Sequence, residues 1–297
     1  MNQRLLIISP VRNEAAHIER VVRAVAEQTA PPARWVVLDD GSTDGTLELL
    51  QALAPSVPFL TVLSSTDTPE LQAAPDRLAR AAAPRAFNRA LATVDWSEYT
   101  HVMKLDGDIE LPPDYFAELA GRFAADPRLG ISCGDLVEPD GDGFKRLPIP
   151  PHHVHGALKC YTRECFGAIG GVQERLGWDT IDETYARMRG FTTRSHRDIV
   201  AVHHRHLGSA DGTLRGRARH GECAYIAHFS LLWVALRAFK IARYRPLGLS
   251  GLAFFYGFVR AACRRTERVP DLEFRRFARR ELRRRLWRAA GLVREAV

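Results

Sequence analysis

The chain has no G-x-G-x-x-G run after its first apolar segment and no G-x-x-x-x-G-K-[ST] run anywhere. The first absence weighs against a dinucleotide-binding fold, the second against a phosphate-loop nucleotidase. Cysteine is scarce: there are five, an odd number, and no Cys-x-x-Cys pair. A disulfide framework and a structural zinc site are therefore not expected, and reduced thiols in a cytoplasmic setting are. Long apolar runs are missing too. The longest are Phe229–Leu236 and Leu247–Val259, bounded by Arg237, Arg245 and Arg260. Neither reaches the roughly 18–20 residues needed to span a bilayer. Near the start only Leu5–Ile8 is apolar before Pro10, Arg12 and Glu14, which is too short for a secretory signal.

What is present is an ordinary globular composition, 46% hydrophobic and 26% charged over 297 residues. That length can bury one large core, or one core with an appendage. The net charge of +7 is uneven. Arginines dominate from Arg264 to Arg288, so the basicity belongs to a tail. The expected division is a catalytic domain over 1–220 and a helical, basic region over 221–297.

Leu5–Ser9 reads as a buried strand ended by Pro10. Glu14–Gln28 has helical spacing, with Ile18, Val21, Val22 and Val25 on one face. Strands follow at Trp35–Leu38 and Phe59–Leu63, separated by a helix over Thr43–Leu53. This β-α-β-α-β order predicts a parallel sheet with right-handed crossovers. A mostly helical, alanine-rich stretch over Leu71–Val94 precedes a fourth strand, His101–Leu105. A helix from Pro112 to Phe123, a strand over Gly130–Val137, a seam at Pro148–Pro151, a helix over Thr180–Arg189 and a strand over Ile199–His203 complete the first part. From Gly221 the chain is largely helical.

Four clusters carry chemistry. Lys104-Leu105-Asp106-Gly107-Asp108 closes the fourth strand with two carboxylates one residue apart. Hard oxygen ligands at a strand end suit a divalent cation carrying a diphosphate; the plain alternative is an Asp-Gly turn. Leu38-Asp39-Asp40-Gly41-Ser42-Thr43-Asp44-Gly45-Thr46 is a second acidic turn after an apolar run. Two such turns suggest a nucleotide-diphosphate crevice in an open α/β sheet. Asp39 is placed to accept from a uracil imide or a ribose hydroxyl, Asp40 to hold the turn, and Ser42 or Asp44 to cap the next helix. Ser9-Pro10-Val11-Arg12-Asn13-Glu14 lies at the end of the first strand, where ligands bind such sheets, although Asn13 also reads as a simple helix cap.

Gly177-Trp178-Asp179-Thr180-Ile181-Asp182-Glu183 crowds three acids at a helix start. One reading is a capped N-terminus with Asp179 as cap; the other is a general base. Finally, His203-His204-Arg205-His206 follows a strand, with histidines suited to a metal shell or a diphosphate and an arginine suited to a leaving group.

The order of these motifs resembles the family 2 glycosyltransferases, over roughly Leu5 to Gly208. The resemblance implies an α/β, GT-A-like fold: an open, mostly parallel sheet flanked by helices, here with a helical C-terminal extension. It implies inverting sugar transfer from a nucleotide-diphosphate sugar, with Mg²⁺ or Mn²⁺ as cofactor. The residue matching Asp39 contacts the base, and the pair matching Asp106 and Asp108 holds the ribose and the metal-bound diphosphate. The side chains expected around the donor are Pro10, Arg12, Asn13, Glu14, Asp39, Arg85, Lys104 and Asp106. Those expected at the cation are Asp108, His203 and His204. The family's Glu-Asp pair before a helix is replaced here by Trp178-Asp179, which makes Asp179 the expected base and Asp182 its rival.

Phe274, Phe277, Leu282, Leu286 and Trp287 are spaced like one helix face amid arginines. This resembles a helix lying on an anionic membrane; the alternative is a helix packed on protein with a solvated charged side. No nucleic-acid module is present. The expected partners are thus a nucleotide-sugar donor, a carbohydrate or lipid-linked acceptor and an anionic membrane surface. The expected location is cytoplasmic, with peripheral attachment to the inner face of the plasma membrane as an extension of that view. Rival functions are a sugar-1-phosphate nucleotidyltransferase and a non-catalytic module that recruits partners to membranes.

Overall fold

Leu6, Ile7 and Ile8 are fully buried in the first strand, β1 (Leu5–Val11), as expected of a parallel strand covered on both faces. A computed structural model describes residues 3–65, 81–141, 143–146, 149–205 and 212–289. Within these, the chain divides into two units, Met1–His206 and Leu207–Val297. The boundary expected at 220 falls inside a helix, Thr213–Ile226.

In the first unit β1 continues through Pro10 instead of ending before it. Its pairing with the fourth strand stops at Ile8, whereas pairing with the second runs on to Val11. Proline is tolerated where one neighbouring strand has already left. After β1 come α1 (Ile18–Ala26), β2 (Arg34–Asp39), α2 (Thr46–Leu53) and β3 (Leu60–Ser64). The apolar face of α1 is the expected one: Ile18, Val21, Val22 and Val25 are all buried. Asn13 does not cap this helix; it adopts a left-handed conformation five residues before its start, at φ 54°, and His17 is the N-cap.

The chain resumes with α3 (Ala82–Leu91) and β4 (His101–Leu105). The part of the expected Leu71–Val94 helix before residue 81 lies outside the described residues, as do Pro148 and His206. The remaining elements are β5 (Ile109–Glu110), α4 (Tyr115–Ala125), β6 (Leu129–Asp140), β7 (Gly143–Arg146), β8 (Leu158–Thr162), α5 (Arg163–Ile169), α6 (Trp178–Met188) and β9 (Thr192–His203). The sheet order is β3-β2-β1-β4-β8-β6-β9-β5, with β7 on β6. The β3-β2-β1-β4 half is parallel, while β8 runs antiparallel to both β4 and β6.

This order positions the site. The chain winds outward from β1 to β3, then crosses back to β4 on the other side of β1. The carboxyl ends of β1 and β4 therefore flank a switch point, where open α/β sheets bind ligands. At the other side, β5 pairs with β9 so that Ile109 faces His203. That register brings the end of β9 against the Asp106-Gly107-Asp108 turn.

The second unit holds α7 (Thr213–Ile226), α8 (Leu231–Ile241), α9 (Leu249–Cys263) and α10 (Leu272–Ala289). Tyr225, Val234, Ala238, Ile241, Phe254 and Phe258 belong to one apolar cluster. On α10, Phe274, Ala278 and Leu282 are buried. Of the stripe expected to meet lipid, Phe274 and Leu282 are covered by protein, Phe277 and Leu286 are half-buried and Trp287 is exposed. No helix among the described residues is long and apolar enough to cross a membrane.

Candidate active site

The loops after β1 and β2 are fastened side by side. Asn13 N–H donates to Ser42 Oγ at 2.9 Å, and Asn13 Oδ1 accepts from Thr43 N–H at 2.9 Å. Glu14 N–H donates to Thr46 Oγ1 at 2.8 Å, and Arg12 donates to the Asp40 carbonyl at 2.8 Å. Asp44 accepts from Ala15 N–H and from Thr46 N–H, while the residue capping α2 is Gly45. Ser42, Asn13 and Asp44 are therefore loop fasteners. Asp39 Oδ2 accepts from the N–H groups of Gly41 and Ser42 at 3.2 and 3.1 Å. Its Oδ1 is buried with no hydrogen-bond partner among the described residues.

Across β1, Lys104 is almost fully buried and forms an ion pair with Asp106. Gly107 lets this turn settle on the loop after β1. A Cβ there would lie 2.8 Å from Val11 Cγ1 and 3.0 Å from Glu14 Cγ. Gly107→Ala is accordingly expected to displace the acidic turn and weaken donor binding, at an overpacking cost of about 1–3 kcal/mol. Titration calorimetry with a nucleoside diphosphate, next to a melting curve, checks this; native affinity in the variant would contradict it.

Asp108 is the hub. His203 Nε2 lies 3.3 Å from Asp108 Oδ2, Arg205 Nε lies 3.6 Å from it, and Arg205 also donates to Glu14 Oε2 at 2.6 Å. Burial pushes Asp108 up, but the hydrogen bond and charge of His203, then Arg205, outweigh it and hold the carboxyl below its usual value. Glu14 is pushed up to about 8, by burial first and then by Asp108, against the pull of Arg205. Asp108 Oδ1, like Asp39 Oδ1, is buried without a hydrogen-bond partner among the described residues. Leaving such an acceptor unpaired costs about 1–3 kcal/mol, and these two stand close to the ends of β2 and β4.

Among the described residues no group of three or more His, Cys, Asp or Glu side chains converges as a metal cage. Of the side chains expected at the cation, the structure brings Asp108 and His203 together. His204 is turned elsewhere: Nε2 meets Glu110 Oε2 at 2.6 Å, and Arg20 donates to Nδ1 at 3.0 Å. Arg85 pairs with Glu174 at 3.1 Å. Arg205 was legible only as part of the His-His-Arg-His run, yet it reaches both Glu14 and Asp108.

The acids of α6 differ sharply. Gly177 caps the helix, and Asp179 sits in its first turn, half-buried. Gly156 faces it, since a Cβ there would be 3.2 Å from Asp179 Cβ. Asp182 and Glu183 are buried around Lys159 of β8, at 3.1 and 3.2 Å. Tyr161 O–H donates to Asp182 at 2.5 Å, and Val154 N–H donates to Glu183 at 2.8 Å. Lys159 Nζ also donates to the Asp179 carbonyl at 2.6 Å. The ring of Trp178 lies 5.6 Å from Lys104 and 5.4 Å from Lys159. This network clamps the start of α6 to β8 and so fixes where Trp178 and Asp179 stand. No sequence motif announced Lys159 or Tyr161.

The same network sets a pH dependence. Burial pushes Asp182 up to about 7, against Lys159. Burial pulls His153 down, but Glu183, 3.0 Å away, outweighs it and raises the imidazole. Asp182, His153 and Glu14 all hold a proton more tightly when folded. The stability they add is complete below their unfolded values and is lost as pH rises through the folded ones. Burial pulls His17, His101, His155, His196 and His228 down, and these add stability as pH rises towards their unfolded value. The net fall in melting midpoint is therefore expected above that value, between about pH 7 and pH 8, with His153→Gln shallowing that slope. A midpoint that rises over this range would contradict the assignment.

The model of glycosyl transferase family 2 matches residues 6–171, more than half of the chain. The chain belongs to this family. A relative from Rhizobium meliloti (strain 1021), the succinoglycan biosynthesis protein ExoA, is 34% identical over 116 residues. That match covers 38% of this chain and 31% of ExoA. Solved structures share the fold. A mannosyltransferase from Pyrobaculum calidifontis in complex with GDP-Man and Mn²⁺ matches with TM-score 0.56 and 20% identity, over 97% of this chain and 80% of that one. GalNAc-T7 with UDP, GalNAc and Mn²⁺ matches with TM-score 0.60 and 14% identity, over 99% and 59%. S. aureus TarS 1–349 with UDP-GlcNAc matches with TM-score 0.54 and 16% identity, over 98% and 84%. The GT-A fold expected from the motifs is therefore the fold of this chain.

Proposed function

We propose that this family member is an inverting, cation-dependent glycosyltransferase. It would move a sugar from a nucleotide-diphosphate sugar to an acceptor hydroxyl in polysaccharide or glycolipid synthesis. The observation that carries this reading is the pair of unpartnered buried carboxylate oxygens, Asp39 Oδ1 and Asp108 Oδ1, at the ends of strands flanking β1. A nucleoside diphosphate offers donors to the first through its base or ribose, and a phosphate-bound cation to the second. The named ligands of the similar structures, GDP-Man and UDP-GlcNAc with Mn²⁺ in one case, are of that class.

In this reading Asp39 accepts from the base and Asp106 from the ribose, while Lys104 holds Asp106 in place. Asp108, with His203 beside it, would hold Mg²⁺ or Mn²⁺, which would supply positive charge against the departing diphosphate. Arg205 is fixed by Glu14 and adds a permanent positive charge beside the same oxygens. Asp179 takes the proton from the acceptor hydroxyl as it attacks the anomeric carbon from the face opposite the diphosphate. Asp182 is held behind Lys159 and Tyr161 and serves to position α6. The polysaccharide role follows the biosynthetic role named for ExoA. Work at the cytoplasmic membrane face belongs to the same proposal.

A thermal-shift panel of UDP, GDP, ADP and their sugars, with and without Mn²⁺, tests it. Ligands that bind only the folded state raise the midpoint, by about 2.7 kcal/mol of stability at a hundredfold excess over Kd. The expected result is a shift by one diphosphate class that requires Mn²⁺. Shifts by nucleoside triphosphates alone, with pyrophosphate release on adding a sugar-1-phosphate, would replace this reading by a nucleotidyltransferase. Cation-independent binding with no transfer to any acceptor would replace it by a binding module.

A further inference from the structure

On α8 and α9 the sequence supplies more apolar residues than one core can absorb. Val234, Ala238 and Ile241 turn one side of α8 inward, and Phe254, Phe258 and Ala261 do the same for α9. The opposite sides are also apolar. Leu232, Leu236 and Phe239 on α8, with Leu249, Leu252 and Tyr256 on α9, are each 51–68% exposed. Their spacings (four and three residues on α8, three and four on α9) make each set one continuous stripe. The connecting loop adds Leu247, 69% exposed. Soluble surfaces scatter single apolar side chains; stripes of this kind on consecutive helices mark a binding surface.

The charge around the stripes selects the occupant. Between Leu231 and Cys263 stand five basic residues, Arg237, Lys240, Arg243, Arg245 and Arg260, and no Asp or Glu. Lys240, Arg243 and Arg245 are exposed near the loop. The Arg243 guanidinium lies 5.1 Å from the Phe239 ring centre, whereas Arg260 is paired with Glu222 at 3.1 Å and Arg237 lies over the rings of Trp233 and Phe254, so the rim is made by Lys240, Arg243 and Arg245. Apolar and aromatic side chains that enter acyl chains, rimmed by cations at headgroup level, are what an anionic bilayer surface complements. A nucleic acid would use the cations and leave the leucines in water.

We infer that the outer face of the α8–α9 hairpin is a docking surface for an anionic lipid bilayer. The hairpin lies in the interface without crossing it. This inference does not rest on the transfer reading, because lipid binding is measured without donor or acceptor.

The test is co-sedimentation of the full chain with phosphatidylcholine vesicles, with and without phosphatidylglycerol. Binding is expected only when phosphatidylglycerol is present, and it is expected to weaken as salt rises. The double substitution Phe239→Glu, Leu252→Glu is expected to abolish binding with an unchanged melting curve, since both side chains point outward. Lys240→Glu with Arg243→Glu is expected to lower affinity about fivefold for each cation lost. Leu247→Asp, in the loop outside both helices, should weaken binding even if the double variant fails to fold. Vesicle binding indifferent to Leu247→Asp and to the charge reversals would overturn the inference. So would a dimer, seen by sedimentation velocity, that Leu247→Asp dissociates while the parent never binds vesicles; the face would then belong to a second copy of the chain.

Discussion

Asp108→Ala is expected to remove Mn²⁺-dependent binding of the donor diphosphate while leaving the protein folded. The carboxylate ends a turn beyond β4 and contributes no apolar packing; its contacts are His203 and Arg205. Changing a residue that merely supports a metal ligand costs about 10–100-fold in metal affinity, so loss of the ligand itself should exceed about 100-fold. The effect on folding should be small and of mixed sign. The variant relieves the like charge that helps push Glu14 up, but it leaves His203 and Arg205 without their shared anion. Calorimetry separates these consequences. Diphosphate affinity without cation should change little, and the increment gained on adding Mn²⁺ should vanish. An unchanged increment would move the cation away from Asp108. His204→Ala provides the contrast, because its ring is engaged with Glu110 and Arg20, and it should retain most of the increment.

The parts of this site that were legible in the sequence are those in which backbone geometry and ligand chemistry demand the same residues. A β-α-β-α-β pattern needs apolar runs, and the turns that end them need Asp and Gly. Hence β4 and the acid turn after it were placed correctly, as was the buried face of α1. The β8–α5 segment was not legible. Leu158-Lys159-Cys160-Tyr161-Thr162 carries a lysine in the middle of a short apolar run, which reads as surface. It is instead a strand buried from Leu158 to Tyr161, because Asp182 and Glu183, more than twenty residues away, neutralise that lysine. Pairings at that separation leave no local pattern. The α10 stripe shows a different limit. Amphipathic spacing states that Phe274 and Leu282 leave water, not whether protein or lipid receives them, and here protein does.

Asp179→Asn is expected to keep donor affinity and lose about 10²–10⁴ in transfer rate, because a base acts on the acceptor proton in the transition state and not on the donor. The amide is nearly isosteric, and the main contact of this residue with the clamp runs through its backbone carbonyl to Lys159. The fold should therefore be indifferent to the change. Asp182→Asn should behave in the opposite way. Its carboxylate receives Lys159 and the Tyr161 hydroxyl in a closed interior. Breaking a buried ion pair from one side costs about 3–5 kcal/mol, and the surviving Glu183 would share that cost here. Its signature is thus a lowered melting midpoint, with whatever rate is lost recovered on cooling. Single-turnover transfer and melting curves on both variants distinguish the roles. If Asp182→Asn retains its midpoint and loses the rate while Asp179→Asn turns over normally, the buried acid is the base and the half-buried one only lines the crevice.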